Sequence, residues 1–136
     1  MRRLVIGQRA RRSLDVTDEH IELFARLSGD RNPLHFDEDF ARRTRFGRRV
    51  VQGGVTAGLL NAIVAQDLPG PGSVFLEQHL RYVAPVRPGD TITGEVEVLS
   101  LREDKPIVRL AVRVDRQDAV RVLEGEATVY VMEPTG

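Results

Sequence analysis

From Val55 to Ala65 the chain carries apolar side chains nearly all the way round a helix, with only Thr56 and Asn61 polar among eleven residues. A helix of that kind has to be enclosed on most sides. It is also far too short to span a bilayer, which takes roughly 17–25 apolar residues. The rest of the chain must therefore supply its cover. Gly53-Gly54 opens the segment and Pro69-Gly70-Pro71-Gly72 ends it, a firm stop. The small residues Ala57, Gly58 and Ala62 are expected to let a sheet come close.

The cover is legible downstream as period-two alternation. Val74, Leu76, Leu80 and Tyr82 read as one face of a strand, and Ile92, Val96 and Val98 as one face of the next. Val108, Leu110, Val112 and Val114 mark a third strand; Leu123, Ala127, Val129 and Val131 mark a fourth. Turn signals at Pro88-Gly89-Asp90, Glu103-Asp104-Lys105-Pro106 and Arg116-Gln117-Asp118 separate them. Three consecutive strands with short turns imply an antiparallel meander. One buried helix with such a sheet is an α+β domain whose sheet wraps the helix.

The first half reads as irregular and partly helical. Thr17 is the expected N-cap of a helix with Asp18 and Glu19 in its first turn, a stripe of Ile21, Phe24, Ala25 and Leu27, and Gly29 as its stop. A short helix is expected to open at Asp37-Glu38-Asp39 and close on Arg42 and Arg43. With 136 residues and no repeat or linker, the chain is expected to form a single domain over 1–136.

Composition narrows the function. The chain has no cysteine, which excludes a disulfide scaffold, a Cys-ligated metal site and a cysteine nucleophile. Twenty basic residues balance twenty acidic ones, and the seven aromatics form no stacking row; a nucleic-acid binder would be basic overall. No membrane span and no signal-type apolar region are present, so a cytoplasmic location is expected.

Two segments carry candidate chemistry. Ser28-Gly29-Asp30-Arg31-Asn32-Pro33-Leu34-His35 holds a carboxylate and an imidazole in a loop stiffened by Asn32-Pro33. Such a loop can aim Asp30 and His35 at one point for acid–base work. It equally suits an Asp30 that caps the turn beside a structural His35. A metal site of Asp30, His35 and His79 is a weaker alternative, since no helical His pair supports it. In Val50-Val51-Gln52-Gly53-Gly54-Val55-Thr56, two glycines leave backbone N–H groups free at the positive end of a helix. That end suits an oxyanion, or it merely permits tight packing.

Asp30-x-Asn32-Pro33-Leu34-His35, then Val51-Gln52-Gly53, Phe75-Leu76 and Arg81-Tyr82-x-Ala84-Pro85-Val86-x-Pro88-Gly89-Asp90, together resemble the MaoC-type (R)-specific enoyl-CoA hydratases, in order from about residue 13 to 131. The resemblance implies a hot-dog fold, an antiparallel sheet around a long central helix, paired as a homodimer or dimer of dimers. It implies reversible hydration of trans-2-enoyl thioesters to (R)-3-hydroxyacyl thioesters, on coenzyme A or acyl carrier protein, with no metal and no cofactor. Asp30 and His35 match the catalytic pair that holds a water, and Gly53 the residue whose N–H binds the thioester carbonyl. Ser28, Asn32, Gln52 and Asn61 are candidate pocket residues. Gln52 stands where many members have histidine, and Asn61 where well-studied members have serine. Arg42, Arg43 and Arg45, in a cluster with Arg48 and Arg49, are candidates for the phosphates of coenzyme A; His20 and His79 read as structural or surface residues. The competing functions are a hot-dog thioesterase and a non-catalytic thioester-binding or scaffold subunit.

Overall fold

The computed structural model describes residues 3–135. In chain order the elements are β1 (Arg9–Asp15), α1 (Asp18–Ser28), α2 (Pro33–Phe36), α3 (Glu38–Arg42), α4 (Gly53–Gln66), β2 (Ser73–Tyr82), β3 (Thr91–Leu101), β4 (Ile107–Arg116) and β5 (Arg121–Val131). The five strands form one antiparallel sheet in the order β1-β3-β4-β5-β2. The meander is β3-β4-β5. Pro88-Gly89-Asp90 does not close a hairpin, because β2 lies on the far side of β5 from β3.

Helix α4 buries Thr56, Leu59, Leu60, Ile63 and Val64 against the inward residues of the meander, including Val96, Val98, Leu110, Val112, Leu123 and Val129. The cover is one-sided. Gly58 and Asn61 are exposed on the opposite face, and nothing lies within 4 Å of where a Gly58 Cβ would be. The close approach comes from the sheet instead: a Cβ on Gly94 of β3 would sit 3.1 Å from Ile63 Cδ1 and 3.3 Å from Leu59 Cγ. The glycine that lets helix and sheet meet is on the strand.

Two strand readings change. Phe75 and Leu80 of β2 pack on the core, while Val74, Leu76 and Tyr82 are exposed. A bulge between Phe75 and Glu77 resets the alternation, since one extra residue moves every later side chain to the other face. Strand β1 is additional. Ala10 and Leu14 pack on the core, and Arg12 on the same face pairs with Asp67 at the end of α4; Arg9 and Arg11 point outward, where they pair with Glu97 and Glu95 of β3.

Helix α1 begins at Thr17, whose backbone N–H donates to His20 Nδ1 at 3.0 Å. It buries Ile21 and Ala25 but leaves Leu27 83% exposed, because six residues at 100° each place it about 120° from Ile21.

Candidate active site

The loop from α1 to α2 is tied together by its own polar atoms. Gly29 takes φ 80° and donates its N–H to Ala25, a left-handed helix stop that suits glycine. Ser28 Oγ donates to the Phe24 carbonyl at 2.7 Å and accepts from Asp30 N at 3.0 Å. Asp30 Oδ1 accepts from Asn32 N, and Asn32 Oδ1 from Leu34 N as the N-cap of α2. This chain of contacts sets His35 Nε2 3.4 Å from Asp30 Oδ2. His35 is 8% exposed, while the Asp30 carboxylate keeps an open side.

Hydrogen bonding settles the tautomer of His35. Its Nδ1 lies 2.8 Å from the Val50 carbonyl oxygen. A carbonyl can only accept, so Nδ1 carries the hydrogen and donates it. The neutral ring then presents Nε2 as a bare lone pair toward a carboxylate oxygen. Two acceptors facing each other are satisfied by a molecule that donates two hydrogens, as water does. The framework behind the pair is rigid: Val50 N donates to Leu34 O and Val51 N to Val86 O. Arg49 donates to the His35 carbonyl at 3.0 Å and pairs with Asp18 and Glu38, pinning α2 to the starts of α1 and α3.

Three residues beyond Val50, α4 begins. Gln52 is its N-cap, in a non-helical conformation. Among the described residues, the N–H groups of Gly53 and Gly54 have no backbone partner, the usual state of a helix's first donors. Both glycines are closely covered. A Cβ on Gly53 would lie 2.8 Å from the Tyr82 ring, and one on Gly54 2.0 Å from the Phe24 ring. A cavity of about 460 Å³ opens here, walled by Val50, Val51, Gly53, Thr56, Tyr82 and Val122 among others. Asp30 and His35 do not line it; Val50, which lines the cavity and accepts from His35, is their shared wall.

The other candidates separate. Ser28 Oγ and Asn32 Oδ1 are engaged in the loop, while Asn32 Nδ2 has no partner among the described residues. Gln52 is buried against α1, its Nε2 donating to the Ile21 carbonyl at 3.0 Å while Oε1 has no partner; it does not line the cavity. Asn61 sits on the exposed face of α4. Arg42 pairs with Asp39, and Arg43 donates to the Asp39 carbonyl. Arg45 lines a second groove, of about 760 Å³, with Leu34, Phe40, Phe46, Pro85 and Arg87. Arg48 lines a smaller one beside Glu38, Arg49 and Pro88. His79 stands on β2 beside Glu77, and no three His, Asp or Glu side chains among the described residues are grouped to hold a metal. Sequence reasoning assigned nothing to Arg87, Tyr82 or Thr56. The signal for Thr56 was its place three residues after Gly53, on the same helix face.

Comparison with known proteins places this arrangement. Residues 5–120 match the MaoC like domain. The chain is 45% identical over 126 residues to an (R)-specific enoyl-CoA hydratase of Aeromonas caviae, covering 93% of this chain and 94% of that one. It is 44% identical over 117 residues to a 3-hydroxybutyryl-CoA dehydratase of Methylorubrum extorquens, covering 86% and 74%. A solved structure described as an (R)-hydratase from A. caviae involved in PHA biosynthesis superimposes with a TM-score of 0.92 at 43% identity, over 97% of this chain and 100% of that one. With a matched profile over most of its length and close relatives over nearly all of it, the chain belongs to the MaoC-like family and has its hot-dog fold.

Proposed function

We propose that the protein adds water reversibly across the C2–C3 double bond of a trans-2-enoyl-CoA to give the (R)-3-hydroxyacyl-CoA, as a hydro-lyase. The observation that carries the reading is the facing of His35 Nε2 and Asp30 Oδ2 at 3.4 Å with the histidine's other nitrogen locked on Val50. The pair orients one water. As its oxygen bonds to C3, one member takes a proton from it, and the C2–C3 electron pair moves toward the thioester carbonyl. The resulting enolate is stabilised by the free N–H of Gly53. C2 then takes a proton from the pair, whose proton count is unchanged. The scheme calls for neither metal nor redox cofactor. General acid–base assistance of this kind contributes about 10²–10⁴ in rate.

The groove beside the cavity supports a coenzyme A thioester. It shares Phe46 and Pro85 with the cavity wall and carries Arg45 and Arg87. Guanidinium groups are suited to phosphate; these two line the groove itself, Arg87 anchored by a hydrogen bond to the Phe46 carbonyl at 2.8 Å, whereas Arg42 and Arg43 do not line it and bond Asp39. The outer edge of β2, with Val74, Leu76 and Tyr82 exposed, is the edge by which a second copy would extend the sheet into a homodimer. No helix among the described residues is long and apolar enough to cross a membrane, in keeping with a cytoplasmic enzyme.

The direct test is the loss of enoyl-thioester absorbance when the protein meets crotonyl-CoA, beside Asp30→Asn and His35→Ala. Hydration by the parent and its loss in both folded variants supports the reading. Activity surviving both substitutions overturns the assignment of the pair.

A further inference from the structure

Thr56 is 3% exposed and lines the cavity with Gly53, and its hydroxyl has no hydrogen-bond partner among the described residues. A hydroxyl in or just after a helix ordinarily returns to a carbonyl three or four residues back. Ser28 does so to Phe24 at 2.7 Å, and Thr44 to Ala41 at 2.6 Å. Thr56 does not. Unlike Gln52, which is buried away from the cavity, Thr56 is part of the cavity wall. A hydroxyl held in an apolar wall without a partner is unfavourable, and valine would fill the same volume without that cost. An unpaired donor held in an otherwise apolar wall calls for an acceptor atom on whatever enters.

Its place on α4 says which acceptor. Thr56 follows Gly53 by three residues, so the two share a helix face. The Cα–Cβ bond of a helical residue tilts toward the N-terminus, which brings the Thr56 side chain back over the turn that holds the free Gly53 N–H. Two donors of different kinds thus belong to the wall of one cavity, at the positive end of a fourteen-residue helix.

We infer that the Thr56 hydroxyl is a second donor to the thioester carbonyl oxygen, paired with the N–H of Gly53, and that it acts on the enolate. This rests on the hydratase reading and deepens it. When the water oxygen bonds to C3, the C2–C3 π pair becomes a C1–C2 double bond and the carbonyl π pair settles on oxygen. The Thr56 hydrogen bond shortens onto that charge and relaxes as C2 is protonated. Its own proton stays on Thr56 throughout. Glycine supplies one backbone donor whatever its neighbours; the hydroxyl is a side-chain donor that substitution can remove without touching the backbone.

The test compares wild type, Thr56→Val and Thr56→Ser on crotonyl-CoA, with thermal unfolding of all three. The expected result is a fall in kcat of about 10²-fold in Thr56→Val, the scale of one lost oxyanion donor. KM should change little, the pattern of an interaction made in the transition state. Thr56→Ser should recover most of kcat, and Thr56→Val should melt no lower than wild type, having shed an unpaired hydroxyl. Wild-type kcat in Thr56→Val overturns the inference and leaves the hydratase reading standing. Equal losses in the valine and serine variants assign Thr56 to packing and overturn it as well. A wild-type protein inactive on short, medium and long enoyl-CoA overturns the hydratase reading, and this inference with it.

Discussion

The outer face of the sheet and the start of α4 treat polar groups in opposite ways. On the sheet, Glu95 is 7% exposed, yet both its oxygens are held: Arg11 and Arg113 donate to it, and Arg113 also bonds Glu97, which pairs with Arg9. Across β4 and β5 the pattern continues through Arg109–Glu126 and Arg121–Asp115. Every one of these charges meets its partner within the fold. At the start of α4, by contrast, two backbone N–H groups and a threonine hydroxyl lack partners among the described residues. Of these groups, Gly53 and Thr56 border the cavity, whereas the paired charges lie on the outer face of the sheet. Charge density alone points to the wrong face.

Substitutions can break that contrast from either side. The largest effect on activity is expected from His35→Ala or Asp30→Asn, a loss of about 10²–10⁴ in kcat/KM, with unfolding by urea little changed. On the sheet the signs reverse. Glu95→Leu should cost about 1–2 kcal/mol in urea unfolding and leave kcat unaltered. That is below the roughly 3–5 kcal/mol of a fully buried pair, because Arg11 and Arg113 are themselves partly exposed.

Acid sharpens the same comparison. Burial opposes the ionisation of Glu95, but hydrogen bonds from Arg11 and Arg113 and their charges outweigh it and hold its carboxyl below the usual value of 4.5. A group depressed in the folded state contributes stability that is complete above its unfolded value and is lost as pH falls through the folded one. Stability should therefore hold down to about pH 4.5 and decline below it, and Glu95→Gln should flatten that decline in urea titrations at successive pH values. Smaller still, Arg45→Ala and Arg87→Ala should each raise KM for a CoA thioester severalfold at low ionic strength, with the difference narrowing as salt screens the contact. Arg42→Ala should be silent in KM and lie within about 0.5 kcal/mol in stability.

Most of the scaffold was legible because its signals are local. The alternation of Val108, Leu110, Val112 and Val114 states a strand with one buried face, and all four are buried. The Asp30-x-Asn32-Pro33-x-His35 segment states a stiff loop with two functional groups. Strand β1 was not legible: four of its seven residues are charged, and only pairing with β3 gives Arg9 and Arg11 their partners. The phase of β2 failed at a bulge, which the residue types do not announce. Arg42 and Arg49 looked alike in sequence, yet one is a surface pair and the other a three-way tie. The N-terminal glycines of α4 were visible as a motif; Thr56 was hidden because a threonine inside an apolar helix reads as a blemish in the core until its hydroxyl is traced and found unpaired.

The Phe24 ring fills the place where residue 54 would otherwise carry a side chain. Positions 24 and 54 are therefore one genetic character written at two loci. A larger residue at 54 requires the end of the Phe24 ring to move or be reduced, so the order in which two mutations arise is expected to matter for activity. Since α1 runs through Gly29 directly into Asp30, whatever that pair does to the seating of α1 is felt at the carboxylate. Sign epistasis between two residues that touch no substrate should accordingly appear in catalytic rate, and a combinatorial library at 24 and 54 would display it as a diagonal of active pairs.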